Sequence, residues 1–260
     1  MNNASSAPSA AGAVRVDVVD GVATVQFSHP KGNSLPAALL RELAATVDAL
    51  AGEPDARVVV LRSREPGPFC AGASFDELRA ISDPAQGKEF FMGFARLILA
   101  MRRAPKFIIA RVHGRTVGGG VGVTAASDFA VAHDSAQVKL SELAVGIGPF
   151  VVGPVIERKI GLAAFQSLAV DAAEWRDAAW AERAGLFSRV VSTTEALDSY
   201  VDGLAARLAA SNPEAMALMK RAFWQGTEHW DTLLAERAEM SGTLVLSDFT
   251  RRALAAFASR

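Results

Sequence analysis

Cysteine is almost absent from this chain of 260 residues, and histidine is scarce. Cys70 is the only cysteine, so no internal disulfide can form, which fits a reducing compartment such as the cytoplasm. The four histidines are scattered, without the spacing of metal ligands: His29, His113, His133 and His229. The sequence therefore predicts neither a disulfide framework nor a metal site.

An excess of charge of one sign and long apolar runs are also lacking. The formal net charge is −1, and no long basic run occurs, so we expect no nucleic-acid partner and no binding to an anionic membrane. No apolar run approaches the length of a membrane span. Met1 to Gly12 lacks the basic and apolar regions of a signal peptide and is predicted to be a flexible tail, residues 1–12. We expect a soluble cytoplasmic protein.

What the chain has in quantity is apolar residues, which make up 50% of it and can form one large core. Strand-like runs are predicted at Arg15 to Val19, Ala23 to Phe27, Arg57 to Leu61, Lys106 to Val112 and Phe129 to Ala132. Helical patterns alternate with them at Pro36 to Ala51, Gly87 to Met101 and Gly119 to Ser127. This alternation predicts an α/β fold.

The pattern changes near the end of the chain. Val190-Val191 is predicted to end the core, and after about Ser192 only helical segments follow. These segments are predicted around Glu195 to Ala210, Pro213 to Gly226 and Trp230 to Ser247. We therefore divide the chain into a core, 13–191, and a C-terminal helical region, 192–260.

A strand followed by a glycine turn, from Phe107 to Gly122, is the most informative segment. Gly118-Gly119-Gly120 lets a backbone approach a ligand closely, and a helix beginning there directs unpaired N–H groups outward. A phosphate-binding P-loop is excluded, because no Gly-Lys-Ser/Thr follows. A dinucleotide fingerprint fails at Val123, although Asp134 could imitate the acid that binds a ribose.

A second turn of small residues, Pro68 to Leu78, follows the strand Val58 to Arg62. Together the two turns resemble the enoyl-CoA hydratase/isomerase (crotonase) superfamily, whose patterns are Phe-x-Ala-Gly-Ala-Asp-x-x-Glu-Leu and His/Asn-Gly-x-x-x-Gly-Gly-Gly. The resemblance covers most of the chain and includes Asn33-Ser34-Leu35, Ser127-Asp128, Ser141-Glu142-Leu143 and Ala184-Gly185-Leu186.

The resemblance implies a crotonase-like spiral of β-β-α turns with a C-terminal helical trimerisation region, as a homotrimer or a hexamer built from two trimers. It implies an acyl-CoA substrate, with coenzyme A as part of the thioester and no separate cofactor. The backbone N–H groups of Ala73 and Gly119 correspond to the pair that binds the thioester oxygen. Fixed amides at a helix N-terminus stabilise an enolate as its charge develops.

The acid–base residues are the discriminating feature. Hydratases of this superfamily carry two glutamates, and the resemblance aligns them with Gly122 and Glu142. Moving a double bond requires one acid–base group, which takes a proton from C2 and returns it to C4, and Glu142 alone suffices for this. Adding water is suited to two carboxylates. The loop Val145 to Gly153 also resembles that of monofunctional enoyl-CoA isomerases, which contain a Pro-Phe pair. An apolar setting for Glu142 would raise its pKa toward neutrality.

Further residues in or near the two turns are candidates for contact with the substrate. Lys31 could meet a phosphate of coenzyme A, Asp76 could reach the acyl chain, and Ser74 stands where the superfamily has aspartate. The remaining candidates are Leu35, Ala71, Phe75, Gly120 and Phe150.

Enoyl-CoA isomerisation is the favoured function, with an enoyl-CoA hydratase as the alternative. Because Gly122 is not a carboxylate, a catalytically idle CoA-binding homologue is a further hypothesis, and a nucleotide-dependent oxidoreductase is the last.

Overall fold

The structure, a computed structural model, describes residues 12–258, so all but the last residue of the predicted tail lies outside it. The strands are β1 Ala13–Val19, β2 Val22–Ser28, β3 Val58–Ser63, β4 Ile108–Val112, β5 Thr116–Val117, β6 Phe129–His133, β7 Gln137–Lys139, β8 Arg176–Asp177 and β9 Arg189–Val191. The first six helices are α1 Ala37–Gly52, α2 Phe75–Ala80, α3 Pro84–Arg103, α4 Gly119–Ala126, α5 Gly153–Ile160 and α6 Leu162–Val170. The remaining helices are α7 Ala178–Arg183, α8 Thr194–Ala209, α9 Pro213–Phe223, α10 Trp230–Leu244 and α11 Asp248–Ala258.

The main sheet has six strands in the order β1-β2-β3-β4-β6-β9. β1 and β2 pair antiparallel, which their short connection through Asp20 and Gly21 permits, and the other neighbours pair parallel. The central strands β3 and β4 are nearly all buried, as the continuous apolar runs of parallel strands require.

A second sheet of three strands, in the order β5-β7-β8, continues the chain beyond the carboxyl end of β4. β5 follows β4 after three residues and pairs parallel with β7, which brings the glycine turn beside the segment that ends in Lys139. This small sheet carries the candidate site.

Helices cover both faces of the main sheet. Alternate residues of the strands, such as Val59 and Ala110, belong to the large core that includes α1, α3 and α4. Their neighbours, such as Val60 and Ile109, pack against α8 and α9 on the opposite face. The period-2 alternation of strand side chains produces these two layers.

Helix α9 is fixed to the sheet by a buried ion pair. Lys220 Nζ lies 2.6 Å from Asp128 Oδ2, and the two side chains are only 2% and 9% exposed. The same Asp128 oxygen accepts a hydrogen bond from the backbone N–H of Ile108. The pair joins α9 to the segment before β6. Removing one partner would leave the other as an uncompensated buried charge, which is strongly unfavourable.

The α/β prediction is confirmed, and each of the five predicted strands is present. Val190-Val191 lies in β9, the edge strand beside β6, and after it only helices follow in the described residues. The short strands β5, β7 and β8 and the helices α5 to α7 were not predicted from the sequence. The third C-terminal helix ends at Leu244, three residues before the prediction, and a separate helix α11 follows.

Candidate active site

The first half of the site is the turn that leads from β3 into α2. Leu35 N–H donates to the carbonyl of Gly72 at 2.8 Å, and Ala71 N–H donates to Gly32 at 3.0 Å. On its other side the turn is joined to β5, because Val117 N–H donates to the carbonyl of Cys70 at 2.9 Å. The turn that leads to Ala73 is therefore held by backbone hydrogen bonds on two sides.

The second half is the glycine turn between β5 and α4. Gly118 has φ 53° and ψ −117°, a conformation that L residues rarely adopt, and its N–H donates to the carbonyl of Lys139. Helix α4 begins at the next residue, and all eight of its residues are buried. A Cβ on Gly119 would overlap the ring of Phe94, so the backbone lies directly against α3.

The backbone N–H groups of Ala73 and Gly119 donate no hydrogen bond to any residue in the part of the chain that the structure describes. For Gly119 this follows from its place at the start of a helix, where N–H groups have no intrahelical acceptor. Both residues line the same cavity. An N–H group without a partner at a turn or a helix N-terminus can bind an oxygen of a ligand.

Glu142 is the acid of this cavity. Its backbone carbonyl accepts hydrogen bonds from Val145 and Ile147, which fixes the residue at the start of a single 3₁₀ turn. Oε1 lies 2.9 Å from the point where a Cβ on Gly118 would stand, whereas Oε2 is buried and has no hydrogen-bond partner among residues 12–258. Burial raises the pKa of Glu142 to about 7. The carboxyl group can therefore accept or release a proton near neutral pH.

The cavity has a volume of about 60 Å³, and most of its wall is apolar. Ala71, Ala73 and Phe75 come from the first turn, and Phe91 and Phe94 come from α3. The loop from Val145 to Val152 forms the opposite wall. An apolar wall keeps water away from the acid and strengthens any electrostatic interaction inside.

Six of the residues predicted for the site line this cavity: Ala71, Ala73, Phe75, Gly119, Glu142 and Phe150. The other five do not line it. Leu35 is buried in the core, the Ser74 hydroxyl accepts from Glu77 N–H as the N-cap of α2, and Gly120 packs against the Cys70 side chain. Lys31 and Asp76 form an exposed ion pair with each other, which Arg79 extends. Substrate contact by these five residues stays a prediction.

Among the lining residues that were not predicted for the site are Phe94, Ser141 and Ser241. Phe94 and Ser241 reach the cavity from α3 and α10, which pack together so closely that a Cβ on Gly87 would overlap the backbone of Gly242. Ser141 supplies a hydroxyl next to Glu142. Ser141 follows from the motif itself, but contacts between distant helices leave no signal in one sequence.

The position predicted for a second carboxylate has no room for a side chain. A Cβ on Gly122 would lie 2.5 Å from Cγ1 of Val152, the residue that precedes α5. Val152 itself lines the cavity. A valine therefore occupies the space into which a side chain at position 122 would have to extend.

Cys70 and the histidines have no place in this arrangement. The Cys70 thiol is buried, and burial raises its pKa to about 12, so it is not a thiolate at neutral pH. Among the described residues, no three His, Cys, Asp or Glu side chains are grouped so that they could hold a metal ion. Across residues 12–258, no helix combines the length and apolar character that crossing a membrane requires.

An α/β fold in which two turns and a buried acid line one cavity is the architecture of a candidate active site. The family model described as enoyl-CoA hydratase/isomerase matches residues 17–259. The chain therefore belongs to the enoyl-CoA hydratase/isomerase family, within the crotonase superfamily. Enzymes of this superfamily act on acyl-CoA substrates.

The relatives include proteins named as hydratases and one named as an isomerase. The chain is 33% identical over 213 residues to the mitochondrial methylglutaconyl-CoA hydratase of Rattus norvegicus, a match covering 80% of this chain and 67% of the relative. It is 29% identical over 151 residues to the mitochondrial enoyl-CoA delta isomerase 1 of Homo sapiens, covering 57% of this chain and 50% of the relative. Among solved structures, an enoyl-CoA hydratase from Mycobacterium avium has a TM-score of 0.83 and 27% identity, covering 96% of this chain and 97% of that one. These likenesses establish the crotonase fold.

Proposed function

We propose that this protein is an enoyl-CoA isomerase that moves the double bond of an acyl-CoA thioester. The observation that carries the proposal is that Glu142 is the only ionisable side chain, among the described residues, that lines the cavity. One acid can remove and return a proton. Adding water across a double bond also requires a group that holds and deprotonates the water.

In the proposed reaction, the thioester oxygen accepts hydrogen bonds from the N–H groups of Ala73 and Gly119. These amides are already fixed by the turns around them, so they stabilise the developing enolate without reorganising. Each donor contributes roughly 3 kcal/mol to the stability of the transition state. Because the donors are backbone groups, small side chains at these positions are enough.

Glu142 acts first as the base and then as the acid. Its carboxylate removes a proton from C2 of a 3-enoyl-CoA, which gives a dienolate, and its carboxyl group returns the proton to C4. The unpartnered Oε2 is free to take part, and a pKa of about 7 suits both steps. The product is the conjugated 2-enoyl-CoA.

Hydration is the second candidate, and the 33% identity to the rat hydratase favours it. A hydratase would need another group to hold the attacking water. Ser141 lines the cavity, but a hydroxyl is a weaker base than a carboxylate, and Gly122 offers no side chain. We therefore rank isomerisation first.

The test uses purified protein with a 3-enoyl-CoA and a 2-enoyl-CoA of the same chain length. Mass spectrometry and ultraviolet absorbance follow water addition and conjugation of the double bond. We expect the 3-enoyl-CoA to be conjugated without a gain of water, and Glu142→Gln to lower this rate by at least about a hundredfold. Glu228→Gln, at a fully exposed carboxylate, is the matched control and should leave the rate unchanged.

Other outcomes identify the alternatives. Water addition without conjugation makes the protein a hydratase. Thermal stabilisation by an acyl-CoA, with no deuterium entering C2 from heavy water, makes it an idle CoA-binding homologue. Binding of NAD with no binding of an acyl-CoA would assign it to the oxidoreductases.

We also propose that coenzyme A, as part of the thioester, is the only cofactor involved. A homotrimer or a hexamer of two trimers is proposed from the resemblance to the superfamily. A cytoplasmic location is proposed because a chain with one cysteine cannot form an internal disulfide.

A further inference from the structure

The size of the cavity limits the acyl group that it can hold. Its volume of about 60 Å³ is far below the roughly 300 Å³ of a small ligand pocket. Phe91 and Phe94 close it on the side of α3, and Phe150 and Val152 close it on the opposite side. A volume this small suits a short acyl group better than a long one.

Phe150 borders both this cavity and a much larger space. An outer groove of about 620 Å³ runs along α10 and is lined by Glu236, Glu239, Met240, Thr243, Leu244 and Phe150. Of the described residues, Phe150 is the only one that lines both the cavity and the groove. Phe150 therefore lies where the two spaces meet.

The Phe150 ring is positioned by its own turn. Phe150 N–H donates to the carbonyl of Gly148 at 2.8 Å, and the ring folds back over Gly148 so closely that a Cβ there would overlap it. Gly153 N–H donates to the carbonyl of Pro149 at 2.7 Å, which anchors the turn to the start of α5. These bonds fix the backbone of the turn, and the ring packs against Gly148.

The charge of the cavity wall also bears on the acyl group. No Lys, Arg or His from the part of the chain that the structure describes lines it. A carboxylate on the acyl group would be buried without a partner and would stand near the carboxylate of Glu142. Burying an unpaired charge is strongly unfavourable, so charged acyl groups are disfavoured.

Building on the proposed function, we propose that the substrate carries a short, uncharged acyl group and that Phe150 is the specificity-determining residue. Phe150 excludes long chains because its ring closes the path from the cavity into the groove. Replacing the ring with a small side chain joins the two spaces. A long acyl chain can then extend along α10.

The experiment measures binding and turnover separately. Binding is measured by calorimetry with butanoyl-CoA, hexanoyl-CoA and decanoyl-CoA, which are saturated and cannot react. For wild type we expect decanoyl-CoA to bind at least about tenfold more weakly than hexanoyl-CoA, and Phe150→Ala to abolish that difference. The kcat/KM for 3-hexenoyl-CoA and 3-decenoyl-CoA should follow the same order.

Two further variants keep the result interpretable. Phe150→Leu retains an apolar side chain and should give an intermediate preference, so it serves if the alanine variant folds poorly. Phe129→Ala removes a half-buried ring that stacks on Tyr200 on the other face of the sheet, and it should leave the chain-length preference unchanged. Equal binding of hexanoyl-CoA and decanoyl-CoA by wild type, or an unchanged preference in Phe150→Ala, overturns the proposal.

Charge is tested with glutaryl-CoA against pentanoyl-CoA, which has the same number of acyl carbons. We expect glutaryl-CoA to bind at least about tenfold more weakly, because its carboxylate finds no partner. Equal or tighter binding of glutaryl-CoA overturns the exclusion of charged acyl groups. A chain-length preference in binding without any turnover would refute the proposed isomerase and leave the role of Phe150 standing.

Discussion

At the scale of single residues, the ionisation of Glu142 controls the proposed reaction. Burial raises the pKa of Glu142 to about 7, and only the carboxylate can act as the base. We therefore predict that kcat/KM falls about tenfold for each pH unit below the pKa, and that the inflection near pH 7 reports the free enzyme. Initial rates with a 3-enoyl-CoA across the pH range provide the measurement. An inflection that persists in the residual activity of Glu142→Gln would assign the base to another group.

The raised pKa of Glu142 also makes the free energy of unfolding depend on pH. The folded value lies above the 4.5 of an ordinary glutamate, so the protonated form of Glu142 favours the folded state. Its contribution to stability is full below about 4.5 and is lost as pH rises through about 7. The free energy of unfolding of wild type should therefore fall, relative to Glu142→Gln, between pH 5 and pH 8. Denaturant unfolding at the two pH values gives a readout of this burial that does not involve catalysis.

How far the site could be predicted from sequence depends on how local each contact is. Ala73, Gly119 and Glu142 lie in short motifs whose backbone geometry is encoded within a few residues, and all three line the cavity. Phe94 and Ser241 reach it only because α3 packs on α4 and α10. No motif records that packing, because it depends on how helices distant in sequence fit together.

At the scale of secondary structure elements, length decided what could be predicted. The long strands and helices carry several turns or alternations of periodic apolar residues, and they were found. β5 and β8 have two residues each, too few to show any alternation. Helix α6 also lacks a clear polar face, since it reads Leu-Ala-Ala-Phe-Gln-Ser-Leu-Ala-Val and only Leu168 is buried. Short elements such as β5, β8 and α6 are stabilised by packing and hydrogen bonds with neighbouring segments, not by their own sequence pattern.

The packing of α4 against the start of α5 gives a prediction at this scale. Gly122→Glu puts a Cβ 2.5 Å from Cγ1 of Val152, so overpacking should cost about 1 to 3 kcal/mol of unfolding free energy. For a domain of this size that lowers the melting temperature by roughly 2 to 4 °C per kcal/mol. Calorimetry of the purified variant measures the shift.

The double variant Gly122→Glu with Val152→Ala is the control, because it removes the atoms that collide. It should recover part of the lost stability. It would also place a second carboxylate next to the cavity, and any water addition to a 2-enoyl-CoA can be followed by mass spectrometry. If Gly122→Glu is as stable as wild type, Val152 does not fill that space.

At the scale of the whole molecule, the C-terminal helices present an apolar surface that the described chain does not cover. On α9, Met216 and Lys220 point inward, whereas Leu218, Met219 and Phe223 are 58%, 48% and 53% exposed. Three large apolar side chains together on an otherwise polar surface are typical of subunit contacts. The buried Asp128–Lys220 pair holds this surface in a fixed orientation relative to the sheet.

We predict that the chain is a trimer, or a dimer of trimers, and that α9 contributes to the contact between subunits. Light scattering coupled to size-exclusion chromatography should give three or six times the mass of the chain. Leu218→Glu with Met219→Glu should shift the protein toward smaller species, because a carboxylate buried in an apolar contact has no partner. Arg221→Ala, an exposed polar position on the same helix, should leave the mass unchanged. A wild-type monomer would exclude the trimer, and an unchanged mass in the double variant would place the subunit contact on another surface.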